Sequence, residues 1–291
     1  MKLKKNYLAV LITCHNRRDK TLACLSSLYD ADLPDDYLFE VFLVDDGSTD
    51  GTGYAVHENF PMVNVFNADG NLFWAGGMRL AWENALNKKK YDAFLLLNDD
   101  VLLKEDCIDR LIETHLNSLK EIGSGGIYIG STSDHNSAST TYGGSVITHN
   151  GLIMKSKKIT PTDKPQICHF ANANIMWVCS DVVAKIGIFD EKFTHGIADY
   201  DYTLIAHEHN LPVWVSSGIC GICNNDNGNN WKSSTNTTLK DRINYLRSPK
   251  GLAYNEYLYY IHKHFPLFYP YSFCMLWLKT LFPFFWDQLK K

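Results

Sequence analysis

Two adjacent carboxylates preceded by an amide, Asn98-Asp99-Asp100, close an apolar run that includes Phe94, Leu95, Leu96 and Leu97. The run reads as a strand buried on both faces. Such a strand has no packing use for neighbouring acids at its carboxyl end, where desolvating two like charges is costly. In an open parallel sheet that end is also where ligands bind. Paired hard oxygen donors suit Mg2+ or Mn2+, which usually share their coordination with substrate phosphates. A polar loop in which Asp100 or a neighbour caps the next helix is the other reading of the same residues.

Two earlier strand-like runs also finish in polar, backbone-permissive residues: Thr13-Cys14-His15-Asn16-Arg17 and Asp45-Asp46-Gly47-Ser48. In a right-handed, doubly wound sheet these ends converge on one crevice. Acids do not bind phosphate directly, but they hold a ribose, a base N–H or a cation that bridges phosphates. Neither G-x-x-x-x-G-K-[ST] nor G-x-G-x-x-G occurs in the chain. The combination therefore describes a nucleoside-diphosphate site built without a Walker-type loop.

The elements that would position these groups alternate along the first 120 residues. Strand patterns cover 7–13, 39–44, 62–66 and 91–101. Helical spacing covers 19–28, 75–86 and 106–116, and the third of these strands leads into the second helix. This alternation predicts an α/β fold with a doubly wound, mostly parallel sheet. From 123 to 180 the pattern loosens into short strands and polar turns, a mixed-sheet half suited to an acceptor. Past 254 the composition turns aromatic. With 291 residues, 45% hydrophobic and 21% charged, the chain can bury a large core. A net charge of −4 offers no electrostatic footprint for nucleic acid. Eight scattered cysteines, with a strand-like run directly after Met1–Asn6, read as reduced cytoplasmic thiols. Cys220-Gly-Ile-Cys223 has half-site spacing for zinc, but no second pair accompanies it at zinc-finger spacing.

Val10-Leu-Ile-Thr-Cys-His-Asn-Arg17, Val44-Asp-Asp-Gly-Ser-Thr-Asp50 and Leu97-Asn-Asp-Asp-Val101, with the acidic segment near 199, resemble the family 2 glycosyltransferases of GT-A fold. The resemblance covers roughly residues 6–225 and extends to bacterial surface-polysaccharide sugar transferases such as rhamnosyltransferases, without specifying the sugar. It implies that Thr13, His15, Asn16 and Arg17 line the nucleotide site, with His15 where an aromatic is common. Asp46 would accept from the N3–H of uracil or thymine. Asp100 would ligate Mn2+ or Mg2+, with Asp99 near the ribose or a metal-bound water. Asn98 stands where some members carry another acid. In Asn71-Leu-Phe-Trp-Ala-Gly-Gly-Met-Arg79, the residues Asn71, Trp74, Gly77 and Arg79 become donor-site candidates, the Gly pair opening a helix whose amides suit phosphate or sugar oxygens. Phe73 and Trp74 as core, with Arg79 as a surface cation, is the competing view.

Within Phe189–Tyr202, members usually place two acids at a helix start, the second being the catalytic base. Here Ala198 replaces the first, leaving Asp199, which the helix macrodipole would keep ionised. Asp201 then becomes an acceptor-orienting or structural residue. Many members also carry a metal-ligating His after the following strand. None lies in 218–226, where Cys223, Asn224 or Asp226 would have to substitute.

The implied activity is inverting transfer of a hexose from a UDP- or dTDP-sugar to a hydroxyl of a glycan or lipid-linked glycan acceptor. A sugar nucleotidyltransferase, or a catalytically impaired sugar-nucleotide or glycan-binding protein, is the alternative. The expected organisation is a catalytic domain over 1–240, split at about 120 into nucleotide and acceptor halves, and a helical extension over 241–291. Residues 254–286 hold three prolines and an uncharged run too short to span a bilayer. With Lys263, Lys279, Lys290 and Lys291 nearby, the segment reads as interfacial, on the inner face of the cell membrane. A hairpin packed on the catalytic domain and a homodimer surface are the alternatives.

Overall fold

A computed structural model of the chain describes residues 5–135, 139–150, 153–224 and 237–284. The first half is a strand–helix alternation: β1 (Asn6–Cys14), α1 (Arg18–Tyr29), β2 (Tyr37–Asp45), α2 (Thr52–Asn59), β3 (Asn64–Asn67), α3 (Phe73–Lys88) and β4 (Ala93–Leu97). A two-residue strand β5 (Leu102–Leu103) and α4 (Cys107–Ile122) complete it. β1 runs parallel to β2 on one side and to β4 on the other, and β2 runs parallel to β3. All five residues of β4, and the last seven of β1, are buried. This explains their near-continuous apolar runs, since helices cover both faces of a parallel sheet.

Chain order reverses at β1, which lies between β2 and β4, so the carboxyl ends of β1 and β4 open a crevice between them. Two close approaches shape its rim. Gly47, at φ +69°, sits back to back with Gly70: a Cβ on Gly47 would lie 2.7 Å from the Gly70 amide nitrogen. Gly77 presses α3 against β1, where a Cβ would meet Thr13 Oγ1 at 2.1 Å and Thr13 Cβ at 2.7 Å.

The second half supplies β6 (Ile127–Ser133), β7 (Gly144–Asn150), β8 (Ile153–Lys158), β9 (Gln166–Ile167), β10 (Phe170–Ala171), β11 (Ile175–Cys179), α5 (Ser180–Ile186), α6 (Ala198–Glu208) and β12 (Val213–Ile222). The main sheet has the order β3-β2-β1-β4-β11-β6-β12-β5, with β9 also pairing β12. β11 runs antiparallel between β4 and β6, which makes this half mixed, and β10-β7-β8 forms a small separate sheet. The predicted strand at 62–66 shifts to 64–67. The helix predicted at 75–86 begins two residues earlier, at Phe73, which takes φ +54°.

Three helices follow, α7 (Leu239–Arg247), α8 (Tyr254–His264) and α9 (Tyr269–Leu281). Leu246, Leu258 and Leu276, one from each, form their own apolar cluster. α8 also packs back onto the rest of the chain: Tyr260 and Ile261 join the main core. The Glu256 carboxylate accepts from Thr194 N at 3.1 Å and Thr194 Oγ1 at 2.5 Å. The surface of the unit carries Leu267, Tyr271, Phe273, Leu278, Leu281, Phe282 and Phe284, all exposed. Among the described residues no helix is long and apolar enough to cross a membrane. Residues 285 and 286 of the expected interfacial segment, and the nearby Lys290 and Lys291, lie outside the described residues.

Candidate active site

The crevice is a cleft of about 420 Å³ that gathers Thr13, His15, Arg17, Asp46, Trp74, Asn98, Asp99, Asp100 and Asp199 from five separate stretches of chain. The loop after β1 carries the first group. Asn16 sits at φ +51°, and its Oδ1 accepts from Thr49 N at 2.7 Å, which fixes the amide orientation. Its Nδ2 then donates to His15 Nε2 at 3.1 Å, so His15 carries its proton on Nδ1 and donates to the Asp46 carbonyl at 2.5 Å. His15 is thus held by its neighbours on an exposed rim with its ring still at the cleft. Arg17 Nη1 reaches across the switch point to donate to Asp100 Oδ2 at 2.7 Å and Asp99 Oδ1 at 3.3 Å.

Asp99 is buried, and burial pushes its carboxyl up to about 7 in spite of Arg17. Asp100 is more open and also receives the Cys223 thiol, 3.6 Å away. Among the described residues no three His, Cys, Asp or Glu side chains form a metal cage. Adjacent hard carboxylates fit a Mg2+ or Mn2+ that completes its shell with water and phosphate oxygens. Asn98 is committed elsewhere: its Oδ1 accepts from Trp74 Nε1 at 2.8 Å, which orients both side chains at the cleft wall. Asn224 Oδ1 faces the His135 amide at 3.4 Å, and Asp226 lies outside the described residues. Cys220 and Cys223 are both buried and face different partners: Cys220 neighbours the Cys107 thiol, while Cys223 Sγ lies 3.6 Å from both Asp100 Oδ1 and Asn174 Nδ2.

Asp46 is buried with three of its roughly four acceptor positions taken by the 70–73 loop. Gly70 N at 2.9 Å and Leu72 N at 3.3 Å donate to Oδ1, and Phe73 N at 2.9 Å donates to Oδ2. At the start of α3 the Phe73 amide is thus taken by Asp46 and the Ala75 amide by the Thr194 carbonyl. This corrects the expectation that amides near Gly76-Gly77 face phosphate or sugar oxygens. Gly77 is instead the seat of the α3–β1 contact. Asn71 is exposed and does not line the cleft.

Arg79 also points away from the cleft, because its position on α3 faces the 190–193 loop. It donates to the Phe193 carbonyl at 2.6 Å and the Asp190 carbonyl at 3.2 Å. Arg79→Met is expected to lower the melting temperature through two stranded carbonyls, about 1–3 kcal/mol, while nucleotide affinity stays within twofold. A thermal melt and a nucleotide titration of the variant check both halves.

Asp199 occupies the first turn of α6, behind Ile197 at φ +76°. Its Oδ1 accepts from Tyr200 N at 2.8 Å and its Oδ2 from Ala173 N at 3.1 Å. The helix start was expected to keep this group ionised, yet burial outweighs the amides and lifts the carboxyl to about 6. Asp201 is turned from the cleft into α8, where Lys263 Nζ and His264 Nε2 lie 2.9 and 2.8 Å from its carboxylate. It ties the extension down and does not line the cleft.

The cleft also holds Phe73, and residues that no sequence pattern singled out: Tyr142, Asn172, Asn174, His195 and Lys250. Asn172 and Asn174 arrive because β11 inserts beside β4, and Lys250 arrives on the turn after α7. Nothing local in the sequence announces either placement.

The family model for glycosyl transferase family 2 matches residues 9–176. No curated protein matches in sequence. Among solved structures, the mannosyltransferase PcManGT from Pyrobaculum calidifontis, in complex with GDP-Man and Mn2+, is similar at a TM-score of 0.50 and 15% identity. That match covers 82% of this chain but 60% of PcManGT. S. aureus TarS 1-349 is similar at a TM-score of 0.53 and 14% identity, over 89% of this chain and 72% of TarS. At such identities these likenesses speak for the fold, a mixed α/β glycosyltransferase architecture of GT-A type. With the family match over more than half its length, the chain belongs to glycosyl transferase family 2.

Proposed function

We propose that the protein transfers a hexose, with inversion, from a UDP- or dTDP-sugar to a hydroxyl of a glycan or lipid-linked glycan during cell-surface polysaccharide synthesis. The observation that carries the reading is the convergence of Asp46, Asp99, Asp100 and Asp199 on one cleft at the switch point of the sheet. Asp46 retains one acceptor position for a pyrimidine N–H. His15 and Thr13 flank the base and ribose, and Trp74 and Asn98, locked to each other, wall the sugar pocket. A divalent cation held by Asp100 and Asp99 would neutralise charge on the departing diphosphate. Asp199 takes the proton from the acceptor hydroxyl as its oxygen bonds the anomeric carbon and the bond to the diphosphate breaks. One displacement inverts the anomeric centre, and no second carboxylate nucleophile is required.

In this reading residues 1–240 form the catalytic unit. The exposed aromatic face of α9, with Lys279 beside it, rests on the inner surface of the cell membrane, where a lipid-linked acceptor is presented. The first test is a panel of UDP- and dTDP-sugars with Mn2+. One donor should raise the melting temperature, as a ligand of the native state alone does. NMR of the product should then give the inverted anomer. A panel in which no sugar nucleotide stabilises the protein would remove the reading.

A further inference from the structure

Lys250 belongs to the turn between α7 and α8, outside the segment that matches the family model, yet it lines the cleft. The turn is tightly built. Gly251 N and Ala253 N donate to the Ser248 carbonyl, and Leu252 N donates to the Tyr245 carbonyl. A Cβ on Gly251 would lie 2.0 Å from the Tyr245 oxygen, so the turn accepts only glycine there. Five residues after Gly251, Glu256 grips Thr194, the neighbour of His195. One clamp therefore fixes Lys250 and His195 relative to each other.

His195 is the second half of the feature. Its Nδ1 is buried with no hydrogen-bond partner among the described residues, an uncommon condition that a ligand group in the cleft would relieve. Its ring stands edge-on to Phe73, with centroids 6.3 Å apart, and nothing lies within 4 Å of a Cβ built on Gly196 next to it. Burial and the nearby Lys250 charge lower the proton affinity of the imidazole, which favours a neutral ring whose one N–H can sit on Nδ1 and meet a ligand oxygen.

A cleft lined by four carboxylates repels a diphosphate unless cations offset them. Arg17 is already drawn onto Asp99 and Asp100. Lys250 lines the same cleft and holds no ion pair among the described residues. We infer that Lys250 and His195 bind the phosphate oxygens of the donor, so that the C-terminal extension completes the donor site rather than merely covering the domain. The inference rests on the transferase reading and deepens it.

The test is calorimetric binding of UDP, dTDP and inorganic pyrophosphate, each with Mn2+ and with EDTA, beside uridine and thymidine. It compares the full chain with Lys250→Ala, Lys250→Arg and His195→Ala. Lys250→Ala should weaken diphosphate and pyrophosphate binding about tenfold, as loss of one charge-assisted contact does. The loss should persist in EDTA, spare the nucleosides and be largely restored in Lys250→Arg. His195→Ala should weaken the same ligands. Equal diphosphate affinity in Lys250→Ala, or an equal loss for nucleosides, overturns the inference and leaves the transferase reading standing. Failure of the unaltered protein to bind any nucleoside diphosphate overturns both.

Discussion

Replacing Asp199 with Asn should lower turnover ~10²–10⁴-fold, the usual worth of a general base, while sugar-nucleotide affinity stays near that of the parent. The expectation follows from where the carboxylate sits. It is buried at the inner end of the cleft and fixed by the amides of Tyr200 and Ala173. With its proton affinity lifted to about 6, it is a stronger base than an exposed carboxylate and is still ionised at neutral pH. The sign for catalysis is set by the form that works. A base acts deprotonated, so turnover should rise about tenfold per pH unit below 6 and level off above it. That limb should disappear in Asp199→Asn together with the activity. A kcat–pH profile and a nucleotide titration on both proteins decide the matter. Undiminished turnover in the variant would assign the base elsewhere.

Gly77→Ala should be among the most damaging single-methyl additions in the fold. Alanine is the better helix former by about 1 kcal/mol, so an exposed helical glycine would gain from the change. Here the new Cβ would stand 2.1 Å from Thr13 Oγ1 and 2.7 Å from Thr13 Cβ. Thr13 lies on a central strand, and its Cβ has no freedom to retreat without moving β1. Overpacking of this kind costs about 1–3 kcal/mol or more, enough to outweigh the propensity gain. Because Thr13 lines the cleft, separation of α3 from β1 should also weaken nucleotide binding. Chemical denaturation should show a lower midpoint with an unchanged m-value. Thr13→Gly, combined with Gly77→Ala, should recover part of the loss. An unchanged midpoint in Gly77→Ala would mean that α3 slides freely on β1, contrary to this packing.

The exposed apolar surface of α9 and the buried ties of α8 resolve how one aromatic segment reads two ways from sequence. Tyr259 and Lys263 hold Asp190, and Lys263 with His264 holds Asp201, so α8 is tied to the chain that precedes it. α9 contacts α7 and α8 and leaves Tyr271, Phe273 and Leu278 outside. Composition registers aromatic density but cannot say which helix face meets a neighbour.

Local chemistry was legible in the chain itself. Continuous apolar runs gave β1, β2 and β4 because a strand covered on both faces must be apolar throughout. The polar groups at their ends marked the cleft, although Asp46 is repaid largely by the backbone amides of the 70–73 loop. The strands' parallel order followed from the helices between them. Tertiary structure alone decided the rest. Arg79, Gly77 and Asp201 lie on helices beside motif residues, yet each is drawn to a partner distant in sequence: the 190–193 loop, Thr13 and α8. The proton affinities of Asp99 and Asp199 likewise depend on how much protein closes over them, since desolvation is a property of the whole surrounding fold. Lys250 enters the cleft from 150 residues beyond Asp100, for the same reason: spacing along a chain fixes which groups share an element, and packing fixes which elements share a site.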